Sequence, residues 1–333
     1  MPKTEKIKIL PVFIPFLGCP NRCLFCNQNA ITGIDKNYEE TVISQIEDYL
    51  KINEKWDEIA FFGGSFTCLN RDSREFFYDT ARRYKFNNIR ISTRPECFSE
   101  EVVEELLQNN VKTVEIGVQS TSSKVLKFNL RNYDKKVIFS TIALLKGNFK
   151  ICTQLMTGMY KEDLQDIFEM ITDILYLSPD YARIYPTVVL KNSPLEDLYL
   201  NGSFIPDPTA IIIAKTSIIY SYLLCNDIRV IRVGLPESIN LNREISGGFY
   251  HPAIGDIVKT TTKMAYILKF NKIPEDMISF KGLINKLYSN LKIVSDKYWI
   301  KNLCGGDVED NWRFFERAAD IVSKELQHQA NHR

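Results

Sequence analysis

The chain has 333 residues, 45% of them hydrophobic, which is enough for a large buried core and rules out a disordered tail. Its 42 Lys and Arg balance 41 Asp and Glu to a net charge of +1, so there is no global attraction to nucleic acid, although a local basic patch stays open. No stretch approaches the roughly 18 uninterrupted apolar residues of a membrane span.

In chain order, the first apolar run, "ILPVFIPFLG", is broken by Pro11 and Pro15 and preceded by "KTEKIK". It lacks the continuous apolar centre and small-residue cleavage site of a secretory leader and reads as a strand. The expected compartment is therefore the cytoplasm, where clustered cysteines bind metal or do redox chemistry more often than they form disulfides. Strands follow in "KILPVFIP", "EIAFFGG", "NIRIST", "TVEIGVQS", "FKICTQLMTG" and "DYARIYPTVVL", with "IRVIRVG" as a possible later one. Between them "EETVISQIEDYLKI", "RDSREFFYDTARRY", "SEEVVEELLQNN", residues 133–146 and "EDLQDIFEMITDILYL" carry apolar residues on one helical face.

Strand and helix alternating in this way means parallel βαβ units, and six in succession predict an α/β fold, a partial parallel (β/α)6 barrel. After Pro186 the pattern loosens through "KNSPLEDLYLNGSFIPDP" into an apolar helix over 209–225. The expected division is a barrel with its connection over 1–235 and a C-terminal α/β extension over 236–333, containing a β-like run "MISFKGL" and ending on a helix over about 308–327.

In parallel barrels chemistry gathers where the strands end. Those ends carry Cys19, Cys23 and Cys26, then Gly63, Gly64 and Ser65, then Ser92, Thr93 and Arg94, then Gln119, Gln154, and Arg183 with Tyr185. The loop "GCPNRCLFCNQ" holds three cysteines and no fourth ligand, and none of His251, His328 and His332 is near it in sequence. A structural zinc needs four ligands, so that reading requires Cys68 or Cys97 to fold in. The C-x3-C-x2-C spacing suits a [4Fe–4S] cluster better, with three thiolates on three irons and the fourth iron open.

"CPNRCLFC", just after the first strand, resembles the cluster loop of the radical S-adenosylmethionine (SAM) superfamily. Within it "FFGGSFT", "ISTRPE", "VEIGVQS", "VLKFNLRNYD", "RIYPTVVLKNSPLEDLYLNGSF" and "GGFYHPAIGDIVK" are similar to the radical half of the Elongator catalytic subunit and its bacterial relatives. A weaker similarity runs to oxygen-independent coproporphyrinogen III oxidase. The resemblance implies that Cys19, Cys23 and Cys26 ligate the cluster and that its open iron takes the amino and carboxylate groups of SAM. It puts Phe25 against the adenine, and Gly63 and Gly64, followed by Ser65, beside the SAM amino group, where a Cβ would collide. Gln119 and Gln154 contact the ribose or methionine part, Arg131 pairs with the carboxylate through its planar fork, and Arg183 and Tyr185 face the substrate. Ser92 stands where relatives often carry a SAM-contacting Glu.

Plainer readings stand beside these roles. "GGSF" would be a strand-ending turn, Arg131 a solvated cation, and Gln119 and Gln154 partners of buried backbone. Cys152 and Cys225 read as core residues, Cys68 as core or near the site, and Cys304 as a turn residue.

The resemblance implies reductive SAM cleavage fed by a one-electron donor such as flavodoxin or ferredoxin, and no membrane partner. The Elongator relatives modify tRNA with an acetyltransferase domain, for which the chain ends too soon after "GGFYHPAIGDIVK". The expected substrate is a small molecule or peptide, with tRNA as the alternative. A non-catalytic module holding a metal or cluster is the remaining alternative.

Overall fold

The computed structural model describes residues 7–27, 38–53, 55–235, 241–274, 292–294 and 299–331. Strands β1 (Ile9–Phe13), β2 (Glu58–Phe62), β3 (Ile89–Thr93), β4 (Val111–Gln119), β5 (Lys150–Thr157), β6 (Tyr181–Pro186) and β7 (Arg229–Val233) form one sheet in chain order. Every neighbouring pair is parallel. The later strand suggested by "IRVIRVG" is thus a full member, paired with β6. The sheet curls into the expected partial barrel with helices outside. Since the barrel is open, β1 and β7 are edges. At β1 the Gln45 side chain covers part of that edge, accepting from the Phe13 amide at 2.8 Å and donating to its carbonyl at 3.0 Å.

The intervening helices are α1 (Tyr38–Ile52), α2 (Arg71–Arg83), α3 (Glu100–Gln108), α4 (Ser123–Phe128), α5 (Lys135–Leu145), α6 (Leu164–Leu177), α7 (Pro194–Leu200) and α8 (Thr209–Cys225). Several start on a side chain that accepts an otherwise unpaired first-turn amide: Asn70, Ser99, Asp134 and Asp163. Asp163 and Asp166 close a reciprocal capping box.

Helix α8 is apolar all round, and it is buried on nearly every side. It packs between the barrel and the C-terminal helices α9 (Ile254–Phe270), α10 (Trp299–Leu303) and α11 (Val308–Asn331). A single apolar core runs from Leu10 of β1 through Ile218 of α8 to Phe315 of α11. The C-terminal part also contributes a short parallel pair, Lys272–Pro274 with Lys292–Val294. The run "MISFKGL" lies outside the described residues.

Four cysteines depart from expectation. Cys68 bonds Cys97 with Cα atoms 5.1 Å apart, and Cys225 bonds Cys304 at 6.5 Å. Cys225 and Cys304 are therefore paired, where a core residue and a turn residue were expected. Cys68 and Cys97 follow adjacent parallel strands, β2 and β3, so the sheet makes neighbours of residues 29 apart in sequence. Cys152 is buried as expected, and Cys19, Cys23 and Cys26 take no part in either disulfide.

Candidate active site

A cavity of about 890 Å³ opens at the strand ends and descends into the lumen, a size suited to a small-molecule site. Its wall includes Cys19, Cys23, Phe25, Cys26, Gly63, Gly64, Ser92, Gln119, Arg131, Gln154, Arg183 and Tyr185. Of the residues singled out in the sequence, Ser65 alone is not on that wall. Its backbone follows Gly63, whose φ of 98° turns the chain, and its hydroxyl is buried against Cys68 Sγ (2.9 Å), Thr93 Oγ1 (3.1 Å) and the Arg94 amide (3.1 Å). Ser65 therefore ties the β2 and β3 loops together and does not reach the cavity.

The cysteine loop is fastened by its backbone to three other segments. The Ser65 amide donates to Leu17 O at 2.8 Å, Leu24 N donates to Asn129 O at 3.2 Å, and Leu195 N donates to Leu24 O at 2.8 Å. Close approach explains two glycines here. A Cβ on Gly64 would lie 2.3 Å from Leu17 O and 2.8 Å from Ile14 O, and one on Gly18 would lie 2.3 Å from Ser65 O. The demand for glycine at 64 thus comes from the backbone of the cysteine loop itself, even as that residue also lines the cavity.

Arg131 is buried, so the solvated-cation reading fails. Its Nε donates to Tyr133 Oη at 2.6 Å, its Nη1 to Cys23 Sγ at 3.4 Å, and its Nη2 to Gly117 O. A second guanidinium, Arg94, reaches the same sulfur at 3.5 Å while its Nε is held by Glu96. Its Nη2 is buried with no hydrogen-bond partner. Burial pushes the free Cys19 thiol up to about 11, with nearby Cys23 adding to the rise and Arg94 and Arg131 opposing it. Metal loading would have to release that proton.

Below the loop lies a buried chain of charges. Arg90 donates to Glu58 at 2.8 Å and to Glu115 at 3.0 Å, and Arg183 Nη2 donates to the same Glu115 oxygen at 2.8 Å. Gln154 donates to the other Glu115 oxygen at 3.0 Å and to Ser92 Oγ at 3.2 Å. Gln154 therefore serves side chains and not the backbone. Ser92 and Glu115 are partners in the register of β3 and β4, so the lumen carboxylate stands one strand over from Ser92. Sequence reasoning overlooked Glu115 and Arg232, and it placed Arg94 at a strand end without giving it a role. The signal for Glu115 was a charged residue inside an apolar strand that should be buried on both faces.

The three thiols fit an iron–sulfur cluster by their chemistry: three cysteines of one loop share one cavity wall, and two guanidiniums donate to Cys23. Cys68 and Cys97, the candidates for a fourth zinc ligand, bond each other. Among the described residues no group of three or more His, Cys, Asp or Glu is gathered closely enough to hold a single metal ion. None of their helices is long and apolar enough to cross a membrane.

Comparison with known proteins agrees. Residues 13–174 match the family model of the radical SAM superfamily, and residues 179–265 match that of the radical SAM C-terminal domain. The chain is 28% identical over 217 residues to protein MJ0486 of Methanocaldococcus jannaschii, covering 60% of this chain and 67% of that one. It is 23% identical over 197 residues to Elongator complex protein 3 of Drosophila melanogaster, covering 51% of this chain but 36% of the fly protein. The structure of Methanocaldococcus infernus Elp3 lacking its first 46 residues superposes with a TM-score of 0.61 at 19% identity, over 81% of this chain and 69% of that one, and shares the fold. With the two family models together spanning 13–265 apart from a short gap, and with this cysteine loop at the mouth of this barrel, the chain belongs to the radical SAM superfamily of enzymes.

Proposed function

We propose that the protein holds a [4Fe–4S] cluster on Cys19, Cys23 and Cys26, binds SAM in the cavity, and uses it for radical chemistry on a small molecule or peptide. Cys19, Cys23 and Cys26 would hold the cluster, and the chemistry it would supply there is one-electron reductive cleavage of SAM. The chain's own residues do the rest. Arg131 and Arg94 stabilise thiolate charge on Cys23, and the unpaired Nη2 of Arg94 offers a donor toward the SAM carboxylate beside Arg131. Phe25, packed with Met156 and Tyr185, supplies an apolar wall for the adenine and excludes water. Gly63 and Gly64 bring backbone to the amino group, and Gln119, Gln154 and Ser92 offer polar contacts to the ribose and methionine. Arg183 and Tyr185 face the substrate.

The observation that carries this reading is the convergence of the cysteine loop and the ends of β2 to β6 on one cavity. The natural setting is the cytoplasm, with flavodoxin or ferredoxin as reductant. Anaerobic protein incubated with SAM, dithionite and fractionated cell extract should release 5′-deoxyadenosine above background in the fraction containing substrate. If no fraction raises release above the extract-free rate, the proposed catalysis fails.

The likeness to Elongator complex protein 3 favours a second reading, tRNA modification by the same chemistry. It predicts tRNA binding that weakens steeply with salt as phosphate contacts are lost.

A further inference from the structure

The charge lining the cavity is lopsided. Arg22, Arg94, Arg131, Arg183 and Arg232 face it against Glu115 and Asp48, and among the described residues no lysine or histidine is on its wall. Most of these charges are occupied. Arg131 and Arg94 attend to Cys23, Tyr133 and Glu96, and Arg22 lies over the Phe16 ring at 4.6 Å. Asp48 is an exposed residue paired with Lys51 at 2.8 Å. Glu115 accepts from Arg90, Arg183 and Gln154.

Arg183 and Arg232 remain. They are register partners on β6 and β7, side by side across one pair of strands. Arg183 gives Nη2 to Glu115, its guanidinium lies over the Phe62 ring at 5.1 Å, and its buried Nε has no acceptor. The ring fixes the plane of the fork. Arg232 has no hydrogen-bond or ion-pair partner among the described residues. Tyr185, two residues beyond Arg183, lies within electrostatic reach of both. Burial pushes its phenol up while Arg183 and Arg232 pull against that, so at neutral pH it remains protonated and able to donate. A guanidinium on a cavity wall with no partner of its own, as at Arg232, is free to take an acceptor that arrives there. Two guanidiniums and a phenol on adjacent strands of a cavity wall make a receptor for an oxyanion.

We propose that Arg183, Arg232 and the Tyr185 hydroxyl bind an acidic group of the substrate, and that the substrate is therefore a small organic acid anchored by its carboxylate or phosphate at β6 and β7. The proposal rests on the radical SAM reading for the chemistry done on that acid, but the anchor itself is a binding property that can be measured without turnover. Neutral compounds of the same shape would leave the two arginines unpaired and bind weakly.

The test uses the anaerobically reconstituted protein with saturating SAM, so that the carboxylate site near Arg131 is filled. Succinate, inorganic phosphate and neutral succinamide are titrated at matched ionic strength, with melting temperature and calorimetric heat as readouts. At least one dianion should bind and raise the melting temperature, and the one that binds identifies the oxyanion; succinamide should do neither. Arg232→Gln should weaken dianion binding at least tenfold and Arg232→Lys less. Arg232 is exposed on an edge strand, and iron content with the ligand-free melting temperature checks that the variants fold. Binding of succinamide equal to that of succinate would overturn the proposal, as would no dianion binding or undiminished binding in Arg232→Gln. Iron and SAM binding are measured on the same samples, so loss of those with anion binding retained would count against the radical reading and leave the anchor standing.

Discussion

Two of the buried charge clusters among the described residues end differently. Beside α8, Lys215 donates to Glu162 at 3.0 Å and to Asp207 at 2.7 Å, and the Gly158 amide donates to Glu162 at 2.8 Å. In the lumen, Glu58, Arg90, Glu115, Gln154 and Arg183 form a chain of comparable burial beside a cavity that Glu115, Gln154 and Arg183 line, and Arg183 Nε is left without a hydrogen-bond partner. The first cluster locks the loop after β5 and the segment before α8 against that helix. The second leaves donors over for something that arrives. Buried charge is thus a marker of function here only where it is both incompletely paired and next to space.

Breaking the closed cluster should give the largest effect on stability. Lys215→Met leaves two acids buried around an apolar side chain and should cost about 3 to 5 kcal/mol, the usual penalty for orphaning a buried charge. Denaturant unfolding measures this, and SAM affinity per folded molecule should hold. A variant that unfolds normally but loses SAM binding would make the Lys215 cluster part of the site and erase the contrast. Arg131→Ala probes the other side. Removing a guanidinium that contacts Cys23 Sγ should weaken SAM binding by about 1.5 to 3 kcal/mol, the value of a charged hydrogen bond. Calorimetry on reconstituted protein reads it, and unchanged affinity would limit Arg131 to fastening Tyr133 and Gly117.

The smallest effect is a pH dependence. Burial raises the Glu162 carboxyl to about 7, with Lys215 opposing the rise. Because its folded value lies above that of the unfolded chain, its contribution is fully present at low pH and is lost as pH climbs through 7. Stability should therefore fall by about 1 to 2 kcal/mol between pH 6 and 8 from this group. Glu162→Gln should flatten that slope, and a slope unchanged in the variant would assign it elsewhere.

Much of the barrel was legible because its physics is local. Apolar strand runs alternating with one-faced helices gave the parallel order, and three cysteines in one loop needed no tertiary information. What was hidden depended on register and on turns. Arg232 carries no motif, and its place beside Arg183 follows from pairing that shifts between Ala182 and Arg183. Ser65 read like its glycine neighbours, but the positive φ at Gly63 precedes a turn that buries its hydroxyl away from the cavity. The Cys68–Cys97 pair depends on two loops whose ends only the sheet brings together. Gly64 shows a reason supplied by structure alone, since what a Cβ would strike there is the Leu17 carbonyl of the cysteine loop.

The central claim is that the open lumen is completed by a cluster and SAM, and electron paramagnetic resonance of the reduced, anaerobically reconstituted protein tests it most directly. The account predicts about one [4Fe–4S] cluster per chain, a signal that shifts when SAM is added, and loss of both iron and signal when Cys19, Cys23 and Cys26 are replaced together by Ala. Stoichiometric zinc without iron, or a cluster whose signal is indifferent to SAM, would contradict it.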